Sequence, residues 1–262
     1  MGGAIGSFAA MGGMGRQVEA RMAEQLGLRP AGLPMRSSYD RVNDYLSALG
    51  LLAGTAQRIA QDLVLMQRTE IGEVSEAFHL GKVGSSTMAQ KRNPSTAQLL
   101  ISLARLLRAR LPLALEAMVR MDEGDSSATN VTDTLVPEMA ILGVSLAQTL
   151  ARLAEGLVVH PAAMRRNLAL TQGLIASEAV MMQLARRIGR HEAHQLLYDA
   201  AQRTQSDGVP FAISLREHPS MVDQALTAAQ AQALAASLVA EDYLGDSVAI
   251  TIETVARVNA GH

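Results

Sequence analysis

Apolar residues recur in steps of three and four along most of the chain, and no strand-length stretch alternates apolar with polar. The longest run follows Ser37-Ser38-Tyr39-Asp40, a Ser-x-x-Asp helix-start signal. Val42, Tyr45, Leu46, Leu49, Leu52, Ala53, Ala56, Ile59, Ala60, Leu63 and Met66 then form one stripe. The spacing predicts a helix over 38–68, about 45 Å long at ~1.5 Å per residue. Gly50 and Gly54 inside it are expected to let a neighbouring backbone come close. Helical spacing returns at Ser95, where Ser-x-x-Gln is a second cap signature, and continues through Leu99, Leu100, Leu103, Leu106, Leu107 and Leu111. Pro112 should kink or divide that run. Polar residues 121–130 predict a loop, and a third long helix is expected over 134–157 with Pro137 in its first turn.

The flanks are more broken. A helix is expected over 14–26, stopped by Gly27 and followed by a Pro/Gly loop. The glycines at 12, 13 and 15 resemble a phosphate cradle only in composition; no strand pattern precedes them, and turns or close contacts are the simpler use. Beyond His160-Pro161 the elements shorten, to 161–169, 174–187, 190–203, 209–217, 227–240 and 247–258. The fold expected is all-α: an elongated long-helix bundle over 1–158 and a small helical domain over 159–262. Elongated bundles cover their long faces by self-association, so a homo-oligomer is expected.

Composition narrows the chemistry. The 262 residues contain no Cys, which removes disulfides, cysteine-ligated metal and thiol catalysis. Net charge is −2, aromatics make up 3 % and Trp is absent, so no nucleic-acid partner is expected. No unbroken apolar stretch reaches the ~18 residues of a membrane span, and the N-terminus lacks a cationic leader. A cytoplasmic protein without a membrane partner is expected. His191 and His194 lie i, i+3 but lack a third ligand, and Asp122, Glu123 and Asp125 do not make a calcium loop; both groups read as solvated surface. Met181 and Met182 read as core filling, and His79 and His160 receive no role. No metal or cofactor is expected.

The chemistry-bearing stretch is the loop 81–94, with Gly84-Ser85-Ser86-Thr87-Met88-Ala89-Gln90-Lys91-Arg92-Asn93-Pro94 at its centre. It is Gly-flanked, carries hydroxyls, a cation and an amide, and ends where a helix begins. The helix start at Ser95 is expected to offer open N–H groups to a carboxylate, with Lys91 and Asn93 as further donors. A serine is a poor base unless its alkoxide is strongly stabilised. An ordinary surface loop has the same composition.

The string resembles the signature of the fumarase/aspartase superfamily, Gly-Ser-Ser-x-Met-Pro-x-Lys-x-Asn-Pro, departing from it at Ala89. Further segments are similar to the 3-carboxy-cis,cis-muconate cycloisomerase and adenylosuccinate lyase branch. They include Gly3-Ala4-Ile5-Gly6-Ser7, Leu49-Gly50-Leu51-Leu52-Ala53-Gly54-Thr55, Glu70-x-Gly72-Glu73-Val74, Met164-Arg165-x-Asn167-Leu168, Glu178-Ala179-Val180-Met181-Met182 and Tyr243-Leu244-Gly245. The resemblance implies proton abstraction next to a carboxylate, through an aci-carboxylate dianion, with elimination or addition at the β carbon of a small polycarboxylate. It implies Ser85 as general base, with Lys91 and Asn93 holding the carboxylate. Ser86, Thr87 and Met88 would shape the loop, and Arg41 would bind substrate. It also implies a homotetramer.

Three departures bear on the substrate. Ser38-Tyr39-Asp40-Arg41 keeps only the Asp-Arg of the branch's Gln-Arg-Asp-Arg, and Asp122-Glu123-Gly124-Asp125 replaces its His-Glu-Arg. Asp133 stands where adenylosuccinate lyases carry Arg, which ranks adenylosuccinate below a cycloisomerase substrate. The family's two other signature regions, with its general acid, would precede residue 1. The expectation is an N-terminally truncated member, inactive as these residues alone. A C–N lyase acting on an N-substituted aspartate and an inactive oligomerisation fragment stay as alternatives.

Overall fold

In the computed structural model, which describes residues 2–32, 38–77, 87–88, 90–223, 234 and 243–261, the long apolar stripe forms α2 (Asp40–Met66), preceded by α1 (Gly15–Gln25). The expected Ser-x-x-Asp cap is not what starts α2. Tyr39 occupies the cap position without a side-chain bond, and the Ser38 hydroxyl donates to the Asp40 carboxylate instead; Ser37 lies outside the described residues. Pro112 divides the next run as expected, into α3 (Ser95–Arg108) and α4 (Leu111–Glu116), where proline falls in the first turn.

The third long helix starts eight residues before its expected place. Helix α5 spans Ser126–Glu155, so Pro137 is interior rather than in the first turn. Its cap is Asp125, whose carboxylate accepts from Ser127 N–H at 2.8 Å and Ala128 N–H at 3.3 Å. The bond from the Ser127 hydroxyl, then the backbone bonds, hold the Asp125 pKa down to about 2. The buried stripe continues N-terminally through Ala128 and Thr132. Thr132 is tolerated there because its hydroxyl returns to Ala128 O at 3.2 Å and Thr129 O at 2.9 Å.

The chain divides into two units, Met1–His160 and Pro161–His262. In the first, Leu46, Ala53, Ala56 and Ala60 of α2 pack with Ala97, Leu100, Ala104 and Leu107 of α3 and with Leu135, Met139, Leu146 and Leu153 of α5. Gly50 seats the Leu111 side chain, whose Cδ1 would stand 2.3 Å from an added Cβ; it does not receive a backbone. Gly54 has nothing within 4 Å of an added Cβ, which overturns its expected packing role. By length and mean hydropathy α5 could cross a membrane, although it has no unbroken apolar run of that length, and its Leu135, Met139, Leu146 and Leu153 are buried in this core. Two strands absent from the sequence reading, β1 (Val74–Ser75) and β2 (Val158–Val159), pair antiparallel with Val74 opposite Val159 and tie the segment after α2 to the segment after α5.

The second unit holds α6 (Pro161–Ala169), α7 (Ser177–Ile188), α8 (Arg190–Asp207), α9 (Phe211–Arg216), α10 (Pro219–Asp223) and α11 (Ser247–Asn259). Val180, Leu184, Ala193, Leu196, Ala200, Phe211 and Leu215 form its core. Met181 packs against that core, whereas Met182 is exposed, so only half of the pair fills it. Of the helix expected over 227–240, only Leu234 is among the described residues.

Two outcomes are expected in urea titrations. Leu100→Ala, at a fully buried site, should cost about 2–5 kcal/mol, while Gly54→Ala should stabilise by about 0.4–1 kcal/mol, through helix propensity and a stiffer unfolded chain. A stabilised Leu100→Ala or a destabilised Gly54→Ala would contradict the packing described. Asp125 has a depressed folded pKa, so its contribution is whole above the ordinary carboxylate range and disappears as pH falls through about 2. The stability difference between wild type and Asp125→Asn should therefore be constant near pH 6 and shrink in strong acid.

Candidate active site

An α-helix opens with N–H groups that lack partners inside the helix. At the start of α3 the first four are all engaged. Ser95 N–H donates to Asn93 O at 2.8 Å and Gln98 N–H to Pro94 O at 2.9 Å. Thr96 and Ala97 donate to the two carboxylate oxygens of Glu76, at 3.1 and 2.8 Å. The end expected to receive a substrate carboxylate therefore already holds one from the protein itself. A charge arriving here meets the side chains of the preceding turn rather than the helix N–H groups.

Glu76 is itself anchored. Its N–H donates to Gln67 Oε1 at 3.0 Å, at the end of α2. Beside it, Glu73 N–H donates to Met66 O and His160 N–H donates to Glu73 O, each at 2.9 Å. Ser75 Oγ and His160 Nε2 lie 3.0 Å apart across the β1–β2 ribbon, so His160 has the partner that the sequence did not reveal. An added Cβ on Gly156 would meet Ala77 Cβ at 2.8 Å, which requires glycine where α5 ends. Next to this junction lies a cavity of about 580 Å³, lined among others by Glu76, Ser95, Thr96, Thr149 and Arg152.

Lys91 and Asn93 are exposed on the turn leading into α3, with Lys91 N–H donating to Met88 O at 3.1 Å. This puts an ammonium and an amide at the positive end of a helix, a setting suited to a carboxylate. Thr87 and Met88 are exposed on the same approach. Ser85 and Ser86 lie outside the described residues, as does His79. Arg41 is in the first turn of α2, donating to Ala31 O at 3.0 Å. Lys91 and Asn93 lie beyond the other end of that helix, so about 40 Å of rise separates Arg41 from them. One chain does not bring them together.

Among the described residues no group of three or more His, Asp or Glu side chains converges on a metal-sized space, and His191 and His194 are exposed. Of the acidic loop, Asp125 is the α5 cap, so it serves the fold rather than only water. The residue that reading the sequence missed is Glu76. Its two donors lie 20 and 21 positions away, where no local capping pattern reaches. The available signal was an acid a few residues before a Gly-rich loop.

Residues 1–107 match the family model described as lyase, and residues 173–254 the one described as adenylosuccinate lyase C-terminus. An N-acetyl-S-(2-succino)cysteine lyase from Enterococcus italicus is 36% identical over 84% of this chain and 49% of its own length. A 3-carboxy-cis,cis-muconate cycloisomerase from Pseudomonas putida is 40% identical over 77% of this chain and 48% of its own. The crystal structure of the 3-carboxy-cis,cis-muconate lactonizing enzyme from Pseudomonas putida superposes with a TM-score of 0.79 at 34% identity, covering 94% of this chain and 53% of that one. The chain thus spans about half the length of the curated relatives it matches. Two lyase models in sequence order, sustained identity and a shared helical architecture lead to one conclusion: the chain belongs to the fumarase/aspartase superfamily, in the branch that holds the cycloisomerases and adenylosuccinate lyases.

Proposed function

We propose that this protein acts on a small polycarboxylate by removing a proton next to a carboxylate, with elimination or addition at the β carbon, and that it is most like a 3-carboxy-cis,cis-muconate cycloisomerase. The observation that carries this reading is the signature string from Gly84 to Pro94, which departs from the family pattern at Ala89 alone and runs into a helix start whose own N–H groups are already engaged. Ser85, as alkoxide, takes the proton from the α carbon. The C–H electron pair moves into the carboxylate, and the resulting dianion is held by Lys91 and Asn93. The pair then returns to form the double bond as the β substituent leaves with its own electrons. Ser86, Thr87 and Met88 line the approach. Their part, like that of Arg41, is to bind and enclose the substrate.

A second reading, C–N lyase action on an N-substituted aspartate, draws on the adenylosuccinate lyase C-terminus match over 173–254. Asp133, exposed on α5, disfavours a dianionic nucleotide by charge. The same α-proton chemistry serves both readings.

The assembly proposed is a homotetramer. Leu51 is 77% exposed and Ile141 67%, and Tyr45, Leu52 and Ile59 form an open stripe at seven-residue spacing beside the buried Leu46, Ala53 and Ala60. Exposed apolar residues of this kind on α2, α3 and α5, Leu99, Leu106 and Val144 among them, fit burial against further copies. A neighbouring copy is also what would bring an Arg41 towards Lys91.

Purified protein, alone and together with any polypeptide encoded in frame upstream of Met1, should be assayed against 3-carboxy-cis,cis-muconate, N-succinyl and S-succinyl substrates. Ser85→Ala is expected to lower kcat by about 10²–10⁴-fold with helicity intact, and Lys91→Ala to raise KM and lower kcat together. Wild-type rates in Ser85→Ala would remove the base assignment. Light scattering should give a tetramer, and Leu52→Asp with Ile59→Asp should shift it to smaller helical species; a wild-type monomer would refute the assembly.

A further inference from the structure

We infer that Glu76 is a positioning residue for the candidate site: its carboxylate fixes the start of α3, and with it the turn that carries Lys91 and Asn93, to the junction where α2 and α5 end. For its catalytic consequence this rests on the lyase reading. For its structural content it stands on the geometry alone. Helix starts are ordinarily capped by the residue next to them, through a short polar side chain. At α3 that place is held by Pro94, which makes no side-chain cap bond. A carboxylate from 20 and 21 positions away replaces it, with one oxygen on each of two adjacent N–H groups. These are charge-assisted bonds at the positive end of a 14-residue helix, stronger than a neutral cap.

The location gives the bond its consequence. Glu76 lies shortly before the signature loop, and among the described residues Ser95–Ala97 opens the helix that follows it. On its own side Glu76 is tied to Gln67 of the α2 end, and its neighbours to Met66 and to His160 beyond α5. The carboxylate therefore closes the base of the loop, joining the strand that leads in to the helix that leads out. Asn93 O accepts from Ser95 N–H at 2.8 Å, so the fixed turn begins at Asn93. Without the bond, the helix start that follows Lys91 and Asn93 loses the partners of two of its first four N–H groups, and donors that must meet a developing charge lose most of their effect when displaced by about 1 Å.

The test combines Glu76→Ala, Glu76→Gln and Glu76→Asp with amide hydrogen exchange and steady-state kinetics. In Glu76→Ala the amides of Thr96 and Ala97 should exchange at least tenfold faster, as should that of Lys91, while Leu100 to Leu107 stay protected and helicity is unchanged. On the substrate that the wild type turns over, kcat should fall tenfold or more with KM changed less than threefold. Glu76→Asp, which keeps both oxygens and the charge, should recover more of both readouts than Glu76→Gln. Wild-type exchange at Thr96 and Ala97 in Glu76→Ala would overturn the anchoring. Faster exchange there, with Lys91 protected and kcat unchanged, would reduce Glu76 to a helix cap and overturn its positioning role. Should the wild type, assayed together with any polypeptide encoded in frame upstream of Met1, turn over none of the three substrate classes, the lyase reading fails, and exchange at Lys91 decides the positioning role by itself.

Discussion

A helix that starts against the ends of its neighbours must find partners for its first N–H groups, and at α3 that need is met by a residue 20 positions away. The two bonds from Thr96 and Ala97 to Glu76 bind a strand end to a helix start over a long chain separation. The described segments on either side of the signature loop meet at this joint. The β1–β2 ribbon fixes the strand, Gln67 fixes the backbone of Glu76, and glycine at 156 lets the α5 end pass close to Ala77. The site is thus carried on the ends of three helices held by hydrogen bonds. The apolar core begins one turn further in, at Ala97 and Leu100.

The occupied helix start also changes how an anionic substrate would be held. Backbone N–H groups at a helix end serve any anion that reaches them. With these donors engaged, the recognition proposed for Lys91 and Asn93 rests on side chains that can be placed and oriented separately. In that proposal a mobile carboxylate on the substrate would be matched by side chains, while the fixed carboxylate of Glu76 keeps the backbone in order.

Much of the fold was legible because it rests on local patterns. The stripe from Leu46 to Ala60 and the split at Pro112 follow directly from three- and four-residue spacing and from proline geometry. The start of α5 was not legible because Thr132 looks polar and is buried; only its bonds to Ala128 and Thr129 show how it joins the stripe. The Ser37-x-x-Asp40 pattern misled for the converse reason, since the Asp40 carboxylate accepts from the neighbouring Ser38 hydroxyl and Tyr39 holds the cap position. For the candidate site, the signature singles out Lys91 and Asn93 by type and order. It could not name Glu76, whose partners are defined by the meeting of helices, nor the pairing of Ser75 with His160, 85 positions apart.

The seam between α2 and α3 is built largely of alanine: Ala53, Ala56 and Ala60 face Ala97 and Ala104, all fully buried. Side chains this small can be shortened only to glycine, and any enlargement presses two backbones apart, at about 1–3 kcal/mol for each overpacked site. Across generations this seam has almost no neutral neighbours in sequence space. The Leu-rich face of α5 can drift among Leu, Met and Ile with modest loss. Mutational tolerance in the bundle should thus follow side-chain volume rather than depth, with the narrowest corridor running straight towards Glu76 and the start of α3.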